Sequence, residues 1–308
     1  MTSRAWSAAL TLVLVISAPA GCVRRQVEPS TPRPHASMER TIAPPAITPV
    51  EPTATPPPEP APEPKPKPEP QPEPQPAAPT DNKTRGWYYV PNDEHEPPGI
   101  APGAGKLLAA YDGRYLGPRT DLVYLTFDQG YENGNTAEIL DALERNDVIA
   151  TFFVTEAYIR NNPTLVRRMV SQGHVVANHS ATHPSMPSLA KDRDAFESEL
   201  AKTARAFKSV TGTTMPKVFR PPMGEYSPLS LWLTADLGYE SVFWSFAHRD
   251  WVVDDQPPVA TTVKRILGGS HPGAIYLLHG VSSSDTQALD KSIAGLREQG
   301  YGFGVLGR

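Results

Sequence analysis

Residues 122–130 read Leu-Val-Tyr-Leu-Thr-Phe-Asp-Gln-Gly, an apolar and aromatic run that stops on Asp128. A run of this length and composition predicts a buried strand over Leu122 to Phe127, with a carboxylate just past its end. Asn135 to Asn146 follows with apolar residues at three- and four-residue spacing, the period of a helix. The alternation then recurs. Further strands are expected at Ala150 to Val154, Val175 to Ala177, Val218 to Arg220, Ser241 to Ser245, Ala274 to Leu278 and Gly302 to Leu306. Helices are expected at Pro163 to Gln172, Arg193 to Val210, Pro228 to Leu237, Val259 to Leu267 and Thr286 to Gln299, several of them ending at a glycine. About seven such units make the fold α/β, with a parallel sheet closing into a distorted or incomplete (β/α) barrel.

Upstream the chain has another character. Of 36 prolines, 20 lie between Pro29 and Pro79, and from Pro58 to Pro76 proline takes every second position. Repeated loss of backbone donors with fixed φ leaves such a segment extended and solvated, so residues 23–80 read as a disordered Pro-rich stalk. At ~3.1 Å per residue it would reach on the order of 100 Å. Residues 1–22 carry Arg4, an apolar run from Ala8 to Ile16 and small residues after it, the pattern of a secretory signal and too short to span a bilayer. Two endings compete. Ala18-Pro19-Ala20 fits a signal-peptidase site, and Ala20-Gly21-Cys22 resembles the end of a lipobox, in which Cys22 would carry a lipid anchor. Cys22 is the only cysteine, which excludes an intramolecular disulfide and a cysteine-based zinc cluster. Lys+Arg 29 against Asp+Glu 33, a net charge of −4, makes nucleic acid a poor partner. Residues 81–120 read as an extension packed on the barrel, and 121–308 as the catalytic domain.

Chemistry in such barrels sits at the carboxyl ends of the strands. The first strand runs into Asp128-Gln129-Gly130, the third into His179-Ser180-Ala181-Thr182-His183, the fourth into Arg220-Pro221-Pro222, the fifth leads to Asp250-Trp251, and the sixth ends on His279. His179 and His183 stand four apart, which on one helical turn would point both imidazoles at a single cation. Asp128 would deprotonate a water, Arg220 would keep Asp128 ionised, and His279 would protonate a leaving group from the other side.

With these residues in place the sequence resembles a NodB-type polysaccharide deacetylase of carbohydrate esterase family 4, over roughly Thr120 to Val305. The family's Thr-Phe-Asp-Asp-Gly motif corresponds to Thr126 to Gly130, its His-Ser/Thr-x-x-His-Pro to His179 to Pro184, and its Arg-x-Pro to Arg220 to Pro222. Asp250-Trp251 and Leu277-Leu278-His279 correspond to the fourth and fifth motifs. The resemblance implies removal of acetyl groups from polysaccharide with a divalent metal, zinc or another transition ion, held by His179, His183 and position 129. Here that position is Gln129 where the family has aspartate. An amide oxygen binds a divalent ion more weakly than a carboxylate, so either the metal is held loosely or Glu132 or a water supplies the missing oxygen. Met223, where many members have tyrosine, keeps a backbone N–H that would donate to an oxyanion.

Phe127-Asp128-Gln129-Gly130-Tyr131-Glu132-Asn133-Gly134 is similar to a narrower branch, the muramic-acid de-N-acetylases of delta-lactam biosynthesis, as are Trp87, Phe243-Trp244-Ser245 and Asp250 to Asp254. That likeness implies peptidoglycan glycan strands as partner, N-acetylmuramic acid as substrate and an extracytoplasmic site of action. Asp250 would orient His279, and Trp244 and Trp251 would either wall the sugar or simply pack in the core. Three rivals remain: an N-acetylglucosamine deacetylase, a non-catalytic wall-glycan-binding module suggested by Gln129, and a barrel glycosidase, which needs two facing carboxylates and leaves the histidine pair unexplained.

Overall fold

A computed structural model describes residues 77–308. The expected signal and lipobox at 1–22, and all but the last four residues of the 23–80 stalk, lie outside the described residues. The chain first forms the two-residue strands β1 (Arg85–Gly86), β2 (Tyr89–Val90) and β3 (Gly99–Ile100). The main sheet then takes β4 (Gly113–Arg114), β5 (Leu122–Gln129), β6 (Thr151–Val154), β7 (Val175–Asn178) and β8 (Val218–Phe219). After β9 (Glu225–Tyr226), which pairs with β1 instead, it adds β10 (Glu240–Val242), β11 (Phe246–Ala247), β12 (Ile275–His279) and β13 (Gly302–Gly304). The helices are α1 (Ala104–Ala110), α2 (Thr136–Arg145), α3 (Glu156–Asn161), α4 (Pro163–Ser171), α5 (Met186–Leu189), α6 (Arg193–Thr211), α7 (Pro228–Asp236), α8 (Val259–Gly268) and α9 (Ser283–Glu298). Spatial order is β11-β12-β5-β6-β7-β8-β10-β4, with β13 also along β5 and every pair in this sheet parallel. The sheet curls into the distorted (β/α) barrel that the alternation predicts.

Strand β5 shows why the sequence folds this way. Val123, Leu125 and Phe127 face outward into the layer shared with Ile139, Leu140 and Leu143 of α2, while Tyr124 faces inward among Phe153, Ala177, Val242 and Ile275. Both faces are apolar because both are covered, as parallel strands require. The strand expected over Ser241 to Ser245 ends at Val242 in the structure, and a separate strand begins at Phe246. Glu240–Val242 pairs with β8 and Phe246–Ala247 with β12, so the chain changes neighbours between them and no ladder forms at Phe243–Ser245. Helices α3 and α5 escape the sequence because six and four residues show no full amphipathic period.

The segment ahead of β5 is wedged between β10 and β12. β4 runs parallel to β10, Leu116 bridges Ala274, and Gly117 N–H donates to Gly273 O at 2.8 Å. A Cβ at Gly117 would lie 1.9 Å from the Tyr124 ring, so only glycine fits there. Trp87 is buried against Phe243 and Tyr115, ring centroids 4.8 and 5.3 Å away, and its indole N–H donates to Trp244 O at 2.9 Å. Among the described residues no helix is long and apolar enough to cross a membrane.

Candidate active site

The carboxyl ends of β5, β7, β8 and β12 surround one cavity of about 690 Å³. Asp128 and His279 are register partners on adjacent strands, and both line it, together with His179, His183, Met223, Trp244 and Trp251. Asp128 points inward because it shares the parity of Tyr124 and Thr126 on β5. Its Oδ1 accepts Arg220 Nη1–H at 2.7 Å, and its Oδ2 lies 3.5 Å from His179 Nε2. Arg220 is fully buried directly after β8, its guanidinium 4.1 Å from the Phe153 ring centre. Burial alone would raise the Asp128 pKa. The Arg220, His179 and His279 charges outweigh it and hold the carboxyl below its usual value.

The histidine pair converges, but not on a helical turn. Ser180 and His183 have φ of 65° and 59°, a left-handed conformation in which a helical turn cannot close. The loop is instead fixed by polar contacts. Ser180 N–H donates to Asn178 Oδ1 at 2.9 Å and His183 N–H to Ser180 Oγ at 2.9 Å. Buried Glu199 of α6 accepts from Ala181 N–H, Thr182 N–H and Thr182 Oγ1–H at 3.0, 2.8 and 3.1 Å. The imidazole centroids end 4.9 Å apart. Glu199 has no motif to announce it, and a carboxylate inside a long amphipathic helix reads as solvated surface. Glu199→Ala removes three acceptor contacts, and the expected result is a ~10–100-fold loss of zinc affinity at this pair, measured by calorimetry.

On the other wall His279 Nδ1 bonds Asp250 Oδ1 at 2.7 Å, and His279 N–H donates to Asp250 Oδ2 at 2.8 Å. Burial would lower the His279 pKa, but the Asp250 hydrogen bond and the charges of Asp250 and Asp128 raise it. The Trp251 ring is 5.6 Å from the His279 ring and 51% exposed, so it forms the cavity rim and not core. Trp244 has both roles, lining the cavity while packing on Phe243. Met223 turns at the rim with φ 57°, a third left-handed non-glycine residue here, at about 1–3 kcal/mol each.

Two expected oxygen donors lie elsewhere. Gln129 has the opposite parity to Asp128, so its side chain turns to the outer face of β5. It is fully buried, packs against Gly280, donates weakly to Thr136 Oγ1 at 3.4 Å, and does not line the cavity. Glu132 is occupied at the start of α2, accepting from Thr136 N–H and Oγ1–H at 3.2 and 2.5 Å and from Tyr158 O–H at 3.0 Å.

The histidines themselves suit a divalent transition ion. His179 Nδ1 bonds Arg220 O at 2.8 Å, leaving Nε2 toward the cavity, the backing common to metal-binding histidines. Burial drives the His179 pKa down to about 4 and also lowers that of His183, favouring the neutral ligand form. A second group with close donor atoms, His248, Asp250 and Asp285, lies behind His279, its ligand atoms all within 4.8 Å of one another.

An ionised carboxylate and a protonatable imidazole at neighbouring strand ends of one cleft are suited to hydrolysis by general acid and base. Residues 117–242 match the polysaccharide deacetylase family profile. Over 228 residues the chain is 42% identical to an uncharacterized 30.6 kDa protein of Geobacillus stearothermophilus, covering 74% of this chain and 85% of that protein. Over 223 residues it is 39% identical to peptidoglycan-N-acetylmuramic acid deacetylase PdaA of Bacillus subtilis, covering 72% and 84%. The solved structure of PdaA, a family 4 carbohydrate esterase, aligns with a TM-score of 0.70 at 38% identity over 73% of this chain and 96% of that one. The chain belongs to the polysaccharide deacetylase family and is a hydrolase of the acetyl amide on sugars.

Proposed function

We propose that the protein removes the acetyl group from N-acetylmuramic acid in peptidoglycan glycan strands, outside the cytoplasmic membrane. The observation that carries the chemistry is the register pairing of Asp128 with His279, each backed by its own buried partner, Arg220 or Asp250. The substrate reading is supported by the 39% identity to a muramic acid deacetylase and by the octapeptide Phe127 to Gly134. Asp128 takes the proton of the attacking water as its oxygen adds to the acetamide carbonyl. The Met223 N–H donates to the oxygen that becomes negative. His279 then protonates the nitrogen as the C–N bond breaks, releasing acetate and the free amine. A divalent ion on His179 and His183, most simply zinc, would supply Lewis-acid polarisation of the carbonyl. Tyr131, Met223 and Trp251, each more than half exposed around the cleft, offer flat or flexible apolar surface to sugar faces.

The test is mass spectrometry of glycan strands, with and without stem peptides, after incubation with protein in the presence of zinc. The expected product has lost acetyl from muramic acid. Loss confined to glucosamine would move the activity to the other sugar, and no loss with any divalent ion would leave a glycan-binding module.

A further inference from the structure

Behind His279 stands a pair of buried carboxylates, of which the acid/base chemistry at the cleft has so far used only Asp250. Asp250 is fully buried and Asp285, in the first turn of α9, is 1% exposed. Asp250 already uses Oδ1 and Oδ2 on His279. Asp285 is less well served: among the described residues no donor reaches Oδ1 or Oδ2 in hydrogen-bond geometry. His248 Nε2 lies 2.9 Å from Asp285 Oδ1 but off the line of a hydrogen bond. A buried carboxylate without donors, its oxygen within 4.8 Å of one on a second carboxylate that is committed to an imidazole, is expensive as an anion. One proton removes both difficulties, because it turns Asp285 into a donor and leaves Asp250 the sole anion.

We propose that Asp285 is a positioning residue for the general acid, a neutral carboxylic acid whose O–H donates to Asp250 and so fixes both the orientation of Asp250 and the share of its charge that reaches His279. This rests on the reading of His279 as the group that protonates the leaving amine. Three donors then converge on Asp250: His279 Nδ1–H, His279 N–H and Asp285 O–H. Each draws on the same negative charge, so the third moderates the hold of Asp250 on the imidazolium proton, which must leave during turnover. The electrostatics agree in direction. Burial and the neighbouring Asp250 push the Asp285 pKa well above its ordinary value, whereas Asp250, despite burial, is lowered by the His279 hydrogen bond and charge and by the Asp285 donor. His248, lowered by burial, is neutral on the outer side and closes the chain toward a second cavity that it lines. The groups facing His279 are Asp250 on the loop after β11, Asp285 on α9, Asp128 on β5 and, farther off, His183 and His248.

The experiment compares Asp285→Asn with Asp285→Ala in the full chain, reading kcat, KM and the alkaline limb of the pH profile, with the His279 imidazole followed by NMR titration. Asparagine cannot ionise but still presents an N–H to Asp250. The expected result is a kcat within about threefold of the parent for Asp285→Asn and a ~10-fold or greater fall for Asp285→Ala, with KM little changed. In the alanine variant the His279 titration and the alkaline limb both move upward, since Asp250 has lost a competing donor. Equal loss in the two variants would overturn the proposal, as would an unmoved His279 titration in Asp285→Ala. So would tight zinc binding that is lost in Asp285→Asn and kept in His183→Ala, which would make the triad a metal site. Asp250→Asn separates the underlying reading: if it leaves the alkaline limb in place, His279 is not the acid, whatever Asp285 does.

Discussion

Asp128→Asn is expected to reduce acetyl release by ~10²–10⁴-fold, the range of a lost general base, with KM nearly unchanged. The asparagine side chain has the same shape, so its oxygen still accepts Arg220 Nη1–H at the place where Asp128 Oδ1 does now, at 2.7 Å. What disappears is the charge and with it the capacity to take a proton. The negative charge of Asp128 is sustained against the burial of its site chiefly by Arg220. No other described carboxylate lines the cavity, so none can take over the role. The variant also leaves Arg220 buried with only a neutral acceptor, and the thermal midpoint falls while the far-ultraviolet dichroism keeps its shape. Activity within tenfold of the parent would remove Asp128 from the reaction and require the nucleophile to be activated without it.

The strand ends were legible because five of the seven apolar runs break on or lead to an ionisable residue, and in a parallel barrel those breaks share one rim. Asp128, His179, Arg220 and His279 therefore come together as their spacing implies. The direction of Gln129 was also present in the sequence, in the period-two alternation of Leu122–Gln129, but motif adjacency suggests that neighbouring residues share a ligand and strand geometry sends them to opposite faces. The histidine loop was legible only in part. A separation of four fits a helical turn, and nothing local reveals the left-handed Ser180 and His183. Their conformation is fixed by Glu199, from a helix that begins at Arg193. The Asp285 contact to Asp250 is of the same kind: it joins the first turn of α9 to a loop 35 residues earlier, and neither end carries a local signature of the other.

Arg220→Met is expected to produce the largest change in stability, about 3–5 kcal/mol at neutral pH, because it strands the Asp128 charge in the barrel interior. That is a large share of the ~5–15 kcal/mol that holds a typical domain folded. The sign with pH can be worked out. In the parent protein the Asp128 pKa is depressed, so the pair contributes stability above the unfolded carboxyl value of about 3.9, and this is lost as pH falls through the folded value. Without Arg220, burial is no longer outweighed and the folded pKa rises above the unfolded one. The variant is then destabilised most at neutral pH and recovers in acid, where Asp128 enters the core protonated. Urea unfolding at pH 7 and near pH 4.5 measures the difference, which is expected to shrink at the lower pH. The double variant Asp128→Asn/Arg220→Met removes both charges, so its loss is expected to be smaller than the sum of the two single losses by at least ~1 kcal/mol. The backbone carbonyl of residue 220, which orients His179 at 2.8 Å, remains in every variant, so a parallel loss of zinc affinity is not expected. Additive losses, or an Arg220→Met deficit that persists unchanged in acid, would mean that Arg220 serves the barrel through its packing on Phe153 and Trp244 and not through the charge of Asp128.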